Sequence, residues 1–404
     1  MNTRDLIDIE KNVLLHTYAR PDFVLTHGKG SFLFDTTGKA YLDFVSGIAV
    51  CAFGHADAQS QKVLADQASR LWHCSNLYHT EPQVKLAKLL VDNTFADKAF
   101  FCNSGTEAME ACIKFARKWA KNTKGENAVE IISMNQSFHG RTYGALSATG
   151  QSNLHQGFEP LLPGFRFADF NDLDSVTSQI NKKTCAIIVE PVQGEGGIFP
   201  ATTEFLQGCR QLCDEFGLLL ILDEIQCGFG RTGSFCAHEQ YAIKPDIMAG
   251  AKPIAGGLPL GAVLLTDIVA QVIKPGDHGT TFGGGPLPSA VAFDVLSRIL
   301  DPELLSDVRS RGEYFFGKLQ GLQAAYPEIT GVRGKGLMLA IQLSIEPKDL
   351  IATCADEGLL ICKTGGPAVR FLPPLNVSKK EIDMGIEKLT AALQKVRGEN
   401  GQTR

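Results

Sequence analysis

One lysine of this sequence lies in an apolar setting that is unusual for its charge. Lys252 is the only charged residue between positions 247 and 266, in the Gly/Ala-rich segment DIMAGAKPIAGG. A lysine just past a strand is usually a solvated surface residue. Desolvation lowers the pKa of a lysine, and a neutral amine can attack a carbonyl carbon to form a Schiff base. Lys252 is therefore the candidate nucleophile.

A carboxylate follows the most apolar run of the chain. The run LLLILDE, residues 218–224, has the length of a buried strand and leads to Asp223. Ligands of open α/β folds bind at the carboxyl ends of the strands, so Asp223 is a candidate acid at such an edge. It precedes Lys252 by 252 − 223 = 29 residues, which leaves room for one crossover to another strand.

The glycines after this run formally match the GxGxxG pattern of dinucleotide-binding proteins. They form GFGRTG, residues 228–233. The match is weak, because the polar DEIQ separates them from the strand and no amphipathic helix begins within them. A glycine-rich turn is the better interpretation, and a nucleotide-binding or purely structural α/β protein is kept as an alternative.

The segment NSGTEA, residues 103–108, combines a glycine with a predicted helix start. Ser104 and Glu107 have the spacing of a capping box, which favours a helix beginning here. Free N–H groups at the positive end of a helix bind phosphate. Taken alone, the segment more often marks an ordinary cap. Together with an amine and an acid, it would complete the needs of pyridoxal phosphate (PLP) chemistry.

Short apolar runs alternate with helical patterns through the middle of the chain, as in an α/β protein with a buried parallel sheet. The predicted strands lie within residues 98–102, 128–134, 185–190, 218–224 and 261–267. One face of the helix after Thr106 is predicted to be buried through Met109, Cys112, Ile113, Ala116 and Ala120. We expect a large domain over 56–304 and a smaller one formed by 1–55 and 305–404, with a loose tail from Arg397.

Charge and composition exclude several classes of protein. The net charge of −5 argues against a nucleic-acid or anionic-membrane partner. No apolar run approaches the roughly 20 residues that a membrane-spanning helix requires. The acidic N-terminal segment fits neither a secretory signal nor a transit peptide, so we expect a cytoplasmic protein. The 11 cysteines form no CxxC pair, and Cys209 and Cys213 favour a buried helix face over a zinc site.

Several blocks of the sequence together resemble the class III (ω-) aminotransferases of PLP fold type I, and within that family the acetylornithine aminotransferases most closely. The resemblance runs from about Leu14 to Leu393 and includes SGIAV, NSGTEA, FHGRT, EPVQGEGG, LDEIQCGFGRTG, the Lys252 block, HGTTFGG and RFLPPL. It implies a mainly parallel seven-stranded sheet covered by helices, a smaller α+β domain from both chain ends, PLP as cofactor, no metal, and a homodimer with shared active sites.

The resemblance also implies residue roles. Lys252 would carry the cofactor, Asp223 would pair with the ring nitrogen, Phe138 would stack on the ring, and Gln226 would lie near the ring hydroxyl. The full set implied for the cofactor is Gly105, Thr106, Phe138, Asp223, Glu224, Ile225, Gln226, Lys252 and Thr281, the last from the partner subunit.

For the substrate, the resemblance implies a carboxylate clamp at Arg141, a pocket contribution from Thr280, and a switch pair formed by Glu195 and Arg370. Glu195 would neutralise Arg370 while the ω-amino donor is bound, and would release it to hold the α-carboxylate of glutamate. Tyr18 is the remaining substrate candidate, because a tyrosine there can contact ornithine.

The implied reaction moves the terminal amine of N2-acetyl-L-ornithine to 2-oxoglutarate in a ping-pong cycle. Ile48, where ornithine aminotransferases usually carry an aromatic residue, favours an acylated donor, whereas Tyr18 weakly favours ornithine. Succinylornithine, 4-aminobutyrate and lysine-type donors stay open, as does a PLP aminomutase. Two residues depart from the family pattern: Pro253 stands where a small residue is common, and Gly285 where asparagine is common.

Overall fold

A mostly parallel β-sheet forms the centre of the protein. In the computed structural model, which describes residues 1–401, its seven strands have the order β4-β12-β11-β10-β7-β5-β6. The strands are β1 (Leu25–Lys29), β2 (Phe32–Asp35), β3 (Ala40–Asp43), β4 (Lys98–Cys102), β5 (Glu130–Met134), β6 (Phe165–Ala168), β7 (Thr184–Val189), β8 (Val192–Gln193), β9 (Phe199–Pro200), β10 (Leu219–Asp223), β11 (Ile247–Gly250), β12 (Gly261–Leu265), β13 (Ile329–Lys335), β14 (Met338–Leu343), β15 (Leu359–Leu360), β16 (Cys362–Thr364) and β17 (Ala368–Phe371).

Helices cover the sheet and connect its strands. They are α1 (Thr3–Val13), α2 (Ser46–Ala49), α3 (Ala58–Ala68), α4 (Glu81–Asp92), α5 (Gly105–Thr123), α6 (Tyr143–Ala148), α7 (Leu173–Gln179), α8 (Thr203–Phe216), α9 (Asp267–Ala270), α10 (Pro286–Ile299), α11 (Pro302–Ala325), α12 (Pro347–Asp356) and α13 (Lys379–Gly401). Short 3-10 turns span Ser152–Leu154, Ala237–Tyr241 and Lys252–Ala255. No helix within residues 1–401 is both long and apolar enough to cross a membrane. The tail predicted to be loose from Arg397 is instead helical up to Gly401, where α13 ends, and residues 402–404 lie outside the described part.

The central strands are apolar because both of their faces are covered. Every residue of β7, β10, β11 and β12 is buried. The neighbouring pairs β11–β10, β10–β7, β7–β5 and β5–β6 are parallel, whereas β12 runs antiparallel to both β11 and β4. The expected α/β class with a mainly parallel seven-stranded sheet is confirmed.

Helix α5 packs on the sheet through the face that its spacing predicts. Its apolar stripe is fully buried, as are further residues on either side of it; the predicted members are Met109, Cys112, Ile113, Ala116 and Ala120. The Ser104 side chain caps the helix by accepting the N–H of Glu107. The Glu107 carboxylate reaches back to the N–H of Asn103, one residue earlier than in a standard capping box.

Three neighbouring parallel strands bring chemically active residues to one edge of the sheet. Strand β7 is followed at once by Glu190, strand β10 ends in Asp223, and strand β11 is followed after one residue by Lys252. Since β7, β10 and β11 lie side by side, their carboxyl ends meet. This is the edge at which ligands of open α/β sheets bind.

The two ends of the chain meet in smaller sheets beside this edge. Strand β15 pairs in parallel with β3, so residues 359–360 join a sheet formed otherwise by residues 25–43. A second sheet has the order β13-β14-β17-β16 within the described residues, and β17 carries Arg370. The expected union of the two chain ends agrees with this topology, while the proposed domain boundaries at 55 and 304 stay a prediction.

The GFGRTG segment is a turn, and its arginine ties the large sheet to the smaller one. Residues 228–233 contain neither a helix nor a strand. The Arg231 side chain is 1% exposed and donates through Nη1 to the carbonyl oxygens of Leu337 and Pro373. The segment is thus structural, as the weak GxGxxG match suggested.

Close packing of α11 on the β13–β14 turn gives a first prediction. A Cβ on Gly312 would overlap with the backbone carbonyl of Gly336, whereas a Cβ on Gly317 of the same helix would meet nothing within 4 Å. We expect Gly312→Ala to lower the free energy of unfolding by about 1–3 kcal/mol through overpacking. Gly317→Ala is the control and should raise it by roughly 0.5–1 kcal/mol through helix propensity. Urea unfolding measures both, and equal effects would contradict the predicted contact.

Candidate active site

A cavity of about 410 Å³ lies at the carboxyl edge of the sheet. Its volume falls within the range of about 300–1,000 Å³ that small-molecule sites occupy. Most of the residues predicted for the site line it, together with Val50, His139 and Glu190; the predicted ones are Gly105, Thr106, Phe138, Arg141, Glu195, Asp223, Ile225, Gln226 and Lys252. The fold therefore brings residues as far apart along the chain as Val50 and Leu260 to one cavity around the amine.

The N-terminus of α5 forms one wall of the cavity. Gly105 is its first residue, and a Cβ there would come within 2.9 Å of the Ile225 side chain, so only glycine fits without displacement. The Thr106 hydroxyl accepts the N–H groups of Arg141 and Thr142, at 3.1 and 3.2 Å. This holds the 140–142 loop against the helix end, where free backbone N–H groups can bind an anion.

The carboxylate of Asp223 is held by two hydrogen bonds. Its Oδ1 accepts the N–H of Ile225 at 3.1 Å, and its Oδ2 lies 2.8 Å from Nδ1 of the fully buried His139. Burial alone would lower the pKa of His139, but the hydrogen bond and the charge of Asp223 outweigh it and raise the pKa. The Asp223 carboxylate is therefore fixed in orientation.

The amine of Lys252 lies in the interior of the cavity. Burial lowers the pKa of Lys252, and the positive charge of Arg370 acts in the same direction, whereas Glu195 and Asp223 oppose it. A lowered pKa provides more of the neutral, nucleophilic amine at a given pH. Pro253 follows at the second position of a 3-10 turn, Lys252–Ala255, and fits there because the first positions of a helical turn need no N–H donor.

An ion pair closes one side of the cavity. Arg370, only 2% exposed, donates through Nη1 to Oε1 of Glu195 at 2.5 Å and to Oε1 of Gln226 at 3.2 Å. The Glu195 side chain is 29% exposed, so it can turn towards solvent while Arg370 cannot. Sequence reasoning placed Gln226 near the ring hydroxyl; its side-chain oxygen in fact also holds the arginine.

Arg141 lies across the cavity mouth on an exposed loop. Its guanidinium carbon is 5.6 Å from the centre of the Phe138 ring, within the range of a cation–π contact. The backbone of Phe138 is fixed in turn, because its N–H donates to Oε2 of Glu190 at 3.1 Å. Arg141 thus has a defined direction but keeps N–H donors for a ligand carboxylate.

The segment that carries Ile48 has an unusual backbone. Residues 46–49, three of them not glycine, all have φ between 50° and 65°, the left-handed region. The Asp43 carboxylate holds this turn by accepting the N–H groups of Val45 and Ser46, and it also binds His55 at 2.7 Å. Such strain, about 1–2 kcal/mol per residue, persists where the surroundings impose it, often beside a site.

Five predicted residues do not line the cavity among the described residues, and one of them, Arg370, contacts it through Glu195 and Gln226. Glu224 is turned away, and its carboxylate accepts the N–H groups of Ala237 and His238 and binds His238 Nδ1 at 2.7 Å. The others are Thr280, Thr281 and Tyr18. Thr280 accepts a hydrogen bond from the Asn103 side chain at 3.2 Å.

Tyr18 lines a separate cavity near the N-terminal helix, together with Arg20 and Phe23. The tyrosine is 73% exposed, and the Arg20 guanidinium lies 5.4 Å from its ring centre. Within one chain, Tyr18 therefore does not join Lys252.

Sequence reasoning missed two buried residues of the cavity. Glu190 accepts N–H groups from Phe138 and Gly194, and burial raises the pKa of its carboxyl. His139 orients Asp223, as described above. Both lie inside recognised blocks, EPVQGEGG and FHGRT. The available signal was a carboxyl or an imidazole in the same block as a predicted ligand residue.

These observations fit PLP on three counts. The cavity holds a desolvated amine, a carboxylate oriented by an imidazole, and a helix N-terminus whose Gly105 leaves its backbone accessible. PLP presents an aldehyde, a ring nitrogen and a phosphate, which need these three groups. Lys252, Asp223 and Gly105 are the residues that would hold it.

Comparison with known proteins agrees with this geometry. Residues 16–393 match the family described as "Aminotransferase class-III". The chain belongs to the class III aminotransferases. It is thus a PLP-dependent transaminase, and the family and cofactor expected from the motif blocks are confirmed.

Two named relatives and one solved structure illustrate the likeness. The chain is 46% identical to the mitochondrial acetylornithine aminotransferase of Alnus glutinosa over 97% of this chain and 88% of that protein. It is 45% identical to the succinylornithine transaminase of Salmonella newport over 95% of each chain. A crystal structure of the ornithine aminotransferase from Toxoplasma gondii, reported with partial occupancy of PLP at the active site, superposes with a TM-score of 0.95 at 30% identity, over 98% and 95% of the two chains.

The desolvation of Lys252 gives a second prediction. Because burial favours the neutral amine, Lys252 should titrate below the ordinary lysine value of 10.5. In cofactor-free protein, competitive acylation followed by peptide mass spectrometry across pH measures the midpoint for this residue. The Lys252→Arg variant identifies its signal. A midpoint at or above 10.5 would show that the amine is not desolvated.

Proposed function

We propose that this aminotransferase moves the terminal amine of N2-acetyl-L-ornithine to 2-oxoglutarate, forming N-acetyl-L-glutamate 5-semialdehyde and L-glutamate, as in arginine biosynthesis. The ion pair between Arg370 and Glu195 carries the proposal. 2-Oxoglutarate has a carboxylate next to its reacting carbon, whereas acetylornithine has none there. The names of the relatives support an acylated ornithine as donor.

The two half-reactions require opposite electrostatics at Arg370. The carbon that bears the terminal amine of the donor has no carboxylate next to it. An unpaired Arg370 guanidinium beside this carbon would therefore be buried without a partner. Glu195 neutralises Arg370 in that half-reaction. The 2-oxoacid brings a carboxylate next to its reacting carbon, and the guanidinium of Arg370 binds it once Glu195 has turned away.

Hydrogen bonds to the backbone around Glu195 hold the main chain in place, so only the Glu195 side chain turns away from Arg370. The hydroxyl of Thr364 donates to the carbonyl oxygen of Gly194 at 2.7 Å, and Arg333 donates to that of Gly197 at 2.5 Å. A Cβ on Gly365 would come within 2.6 Å of the carbonyl oxygen of Glu195. The loop is thus packed against the β16–β17 hairpin, and rotation of the partly exposed Glu195 carboxylate needs no loop opening.

Arg141 holds the carboxylate at the far end of either substrate. Acetylornithine carries its α-carboxylate, and 2-oxoglutarate its γ-carboxylate, at a distance from the reacting carbon. A single arginine at the mouth suits both, because its planar fork binds a carboxylate through two parallel hydrogen bonds. The Phe138 ring under the guanidinium limits its motion.

The proton transfers belong to Lys252. PLP, when bound, supplies the electron sink and stores the amine between the two half-reactions. Lys252 would take a proton from the substrate carbon and deliver it to the cofactor carbon that carries the nitrogen, and its lowered pKa suits this role. Asp223, oriented by His139, would keep a proton on the ring nitrogen. Gly105 and Thr106 would hold the phosphate at the helix end.

The active enzyme is a homodimer in which Thr281 and Thr280 act at the neighbouring site. Exposed apolar side chains cluster in sequence around these threonines and around residues 71–78; they are Trp72, Leu77, Tyr78 and Phe282, each at least 65% exposed. A cavity lined by Trp72 and Phe282 shares Asn103 with the main cavity, so this surface adjoins the active-site mouth.

The eleven cysteines, all within the described residues, are free thiols, in keeping with action in the cytoplasm.

A panel of amine donors tests the donor assignment and is a third prediction. Single-turnover half-reactions with acetylornithine, succinylornithine, ornithine, 4-aminobutyrate and lysine are followed by loss of the visible absorbance of the enzyme. We expect acetylornithine to give the largest kcat/KM, with ornithine at least about tenfold lower, since one mismatched charge costs about 1.4 kcal/mol or more. A larger value for any other donor would reassign the substrate. Rearranged product without loss of absorbance would indicate an aminomutase.

Substitution of the switch pair gives a fourth prediction. Arg370→Ala should lower kcat/KM for the glutamate half-reaction roughly 100-fold, because a charge-assisted carboxylate contact of about 2–3 kcal/mol is lost. The acetylornithine half-reaction should fall less than tenfold. Glu195→Gln should show the reverse preference. If Arg370→Ala impaired both half-reactions equally, the switch role would be wrong.

A further inference from the structure

The guanidinium of Arg370 has a third partner that the ion pair does not explain. Its Nε donates to Sγ of Cys362 at 3.2 Å, while its Nη1 is shared between Glu195 and Gln226. Arg370 is 2% exposed, so each of its N–H groups must find a partner inside the protein. Glu195 can turn towards solvent, whereas Gln226 is buried and Cys362 is held in strand β16.

Sheet register fixes the thiol beside the arginine. Strands β16 and β17 are antiparallel, and Cys362 is the direct cross-strand partner of Arg370. Directly opposite residues project to the same face of a sheet with Cβ atoms about 4.5–5.5 Å apart. The contact between Cys362 and the root of the guanidinium is therefore built into the sheet and does not depend on a loop.

The thiol provides an acceptor without adding charge. Burial raises the pKa of Cys362, and the neighbouring Arg370 opposes this only in part. The group thus remains a neutral thiol, whose sulfur is a weak acceptor. A carboxylate at this position would compete with the incoming substrate carboxylate, and an aliphatic side chain would leave Nε without a side-chain acceptor.

We propose that Cys362 is a positioning residue that holds Nε of Arg370 while Glu195 is exchanged for the α-carboxylate of the 2-oxoacid. During the exchange the arginine loses its charged partner, and the cross-strand thiol together with Gln226 keeps the guanidinium fork directed into the cavity. A preoriented fork loses less side-chain entropy when it binds the carboxylate. The inference rests on the proposed role of Arg370 and predicts an effect confined to the carboxylate acceptor.

Binding of glutarate to the holoenzyme tests this as a fifth prediction. Glutarate has the two carboxylates of 2-oxoglutarate but no keto group, so it binds without reacting, and calorimetry gives its Kd. We expect Cys362→Val, which matches the thiol in shape but accepts no hydrogen bond, to raise Kd about 3- to 10-fold, the equivalent of one modest hydrogen bond. Cys362→Ala should do the same. Cys362→Ser restores an acceptor and should stay within twofold of the unsubstituted protein.

Cys354→Ala is the matched control. It removes a fully buried thiol from α12, a helix that contacts β16, but it has no bond to the arginine. Its Kd for glutarate should not change. The kcat/KM of the acetylornithine half-reaction should stay within twofold in each Cys362 variant, because Glu195 then holds the arginine.

The outcomes separate this inference from the proposed function. If Arg370→Ala weakens glutarate binding but Cys362→Val and Cys362→Ala do not, the positioning role of the thiol is overturned and the switch stands. If Arg370→Ala leaves glutarate binding unchanged, the proposed role of the arginine itself fails. Equal losses in Cys362→Ser and Cys362→Val would also overturn the role, because they would point to packing and not to an acceptor.

Discussion

The structure depends on keeping one amine buried and without a fixed ionic partner. Lys252 lies among Asp223, Glu190 and Glu195, any of which could form an ion pair with it and raise its pKa. Burial wins over these charges, since removing an ammonium from water costs several kcal/mol even after relaxation of the protein. The amine can then react. The neighbouring carboxylates do not pair with it, because each of them binds other groups of the site.

Each of those carboxylates has its own partners. Asp223 is bound by an imidazole and a backbone N–H, Glu195 by Arg370, and Glu190 by two backbone N–H groups. Burial raises the pKa of Glu190, so its negative charge near the lysine is reduced. The cavity thus contains several titratable groups of both signs, but none of them forms a strong contact that would keep the Lys252 amine in its charged, unreactive form.

The sheet β13-β14-β17-β16 contributes a residue that the seven-stranded sheet does not. The carboxyl ends of β7, β10 and β11 position the amine and the acids, but Arg370, which we propose distinguishes the two substrates, comes from β17. Arg231 and the hairpin at Thr364 tie the two regions together through backbone carbonyls. The relation between the sheets therefore decides whether Arg370 reaches Glu195, and hence whether one cavity can serve both half-reactions.

The sequence by itself determined the strands, the helix start at residues 103–108 and the roles of Lys252 and Asp223 as candidates, because strand length, capping and an apolar setting are local properties. It also identified the family through its motif blocks. Tertiary structure alone decided that the Glu224 side chain faces Ala237 and His238, that Gln226 shares the arginine, and that Cys362 lies across from Arg370. Adjacent residues after a strand point in different directions, and cross-strand register is set by distant chain segments, so no spacing along the chain encodes these contacts.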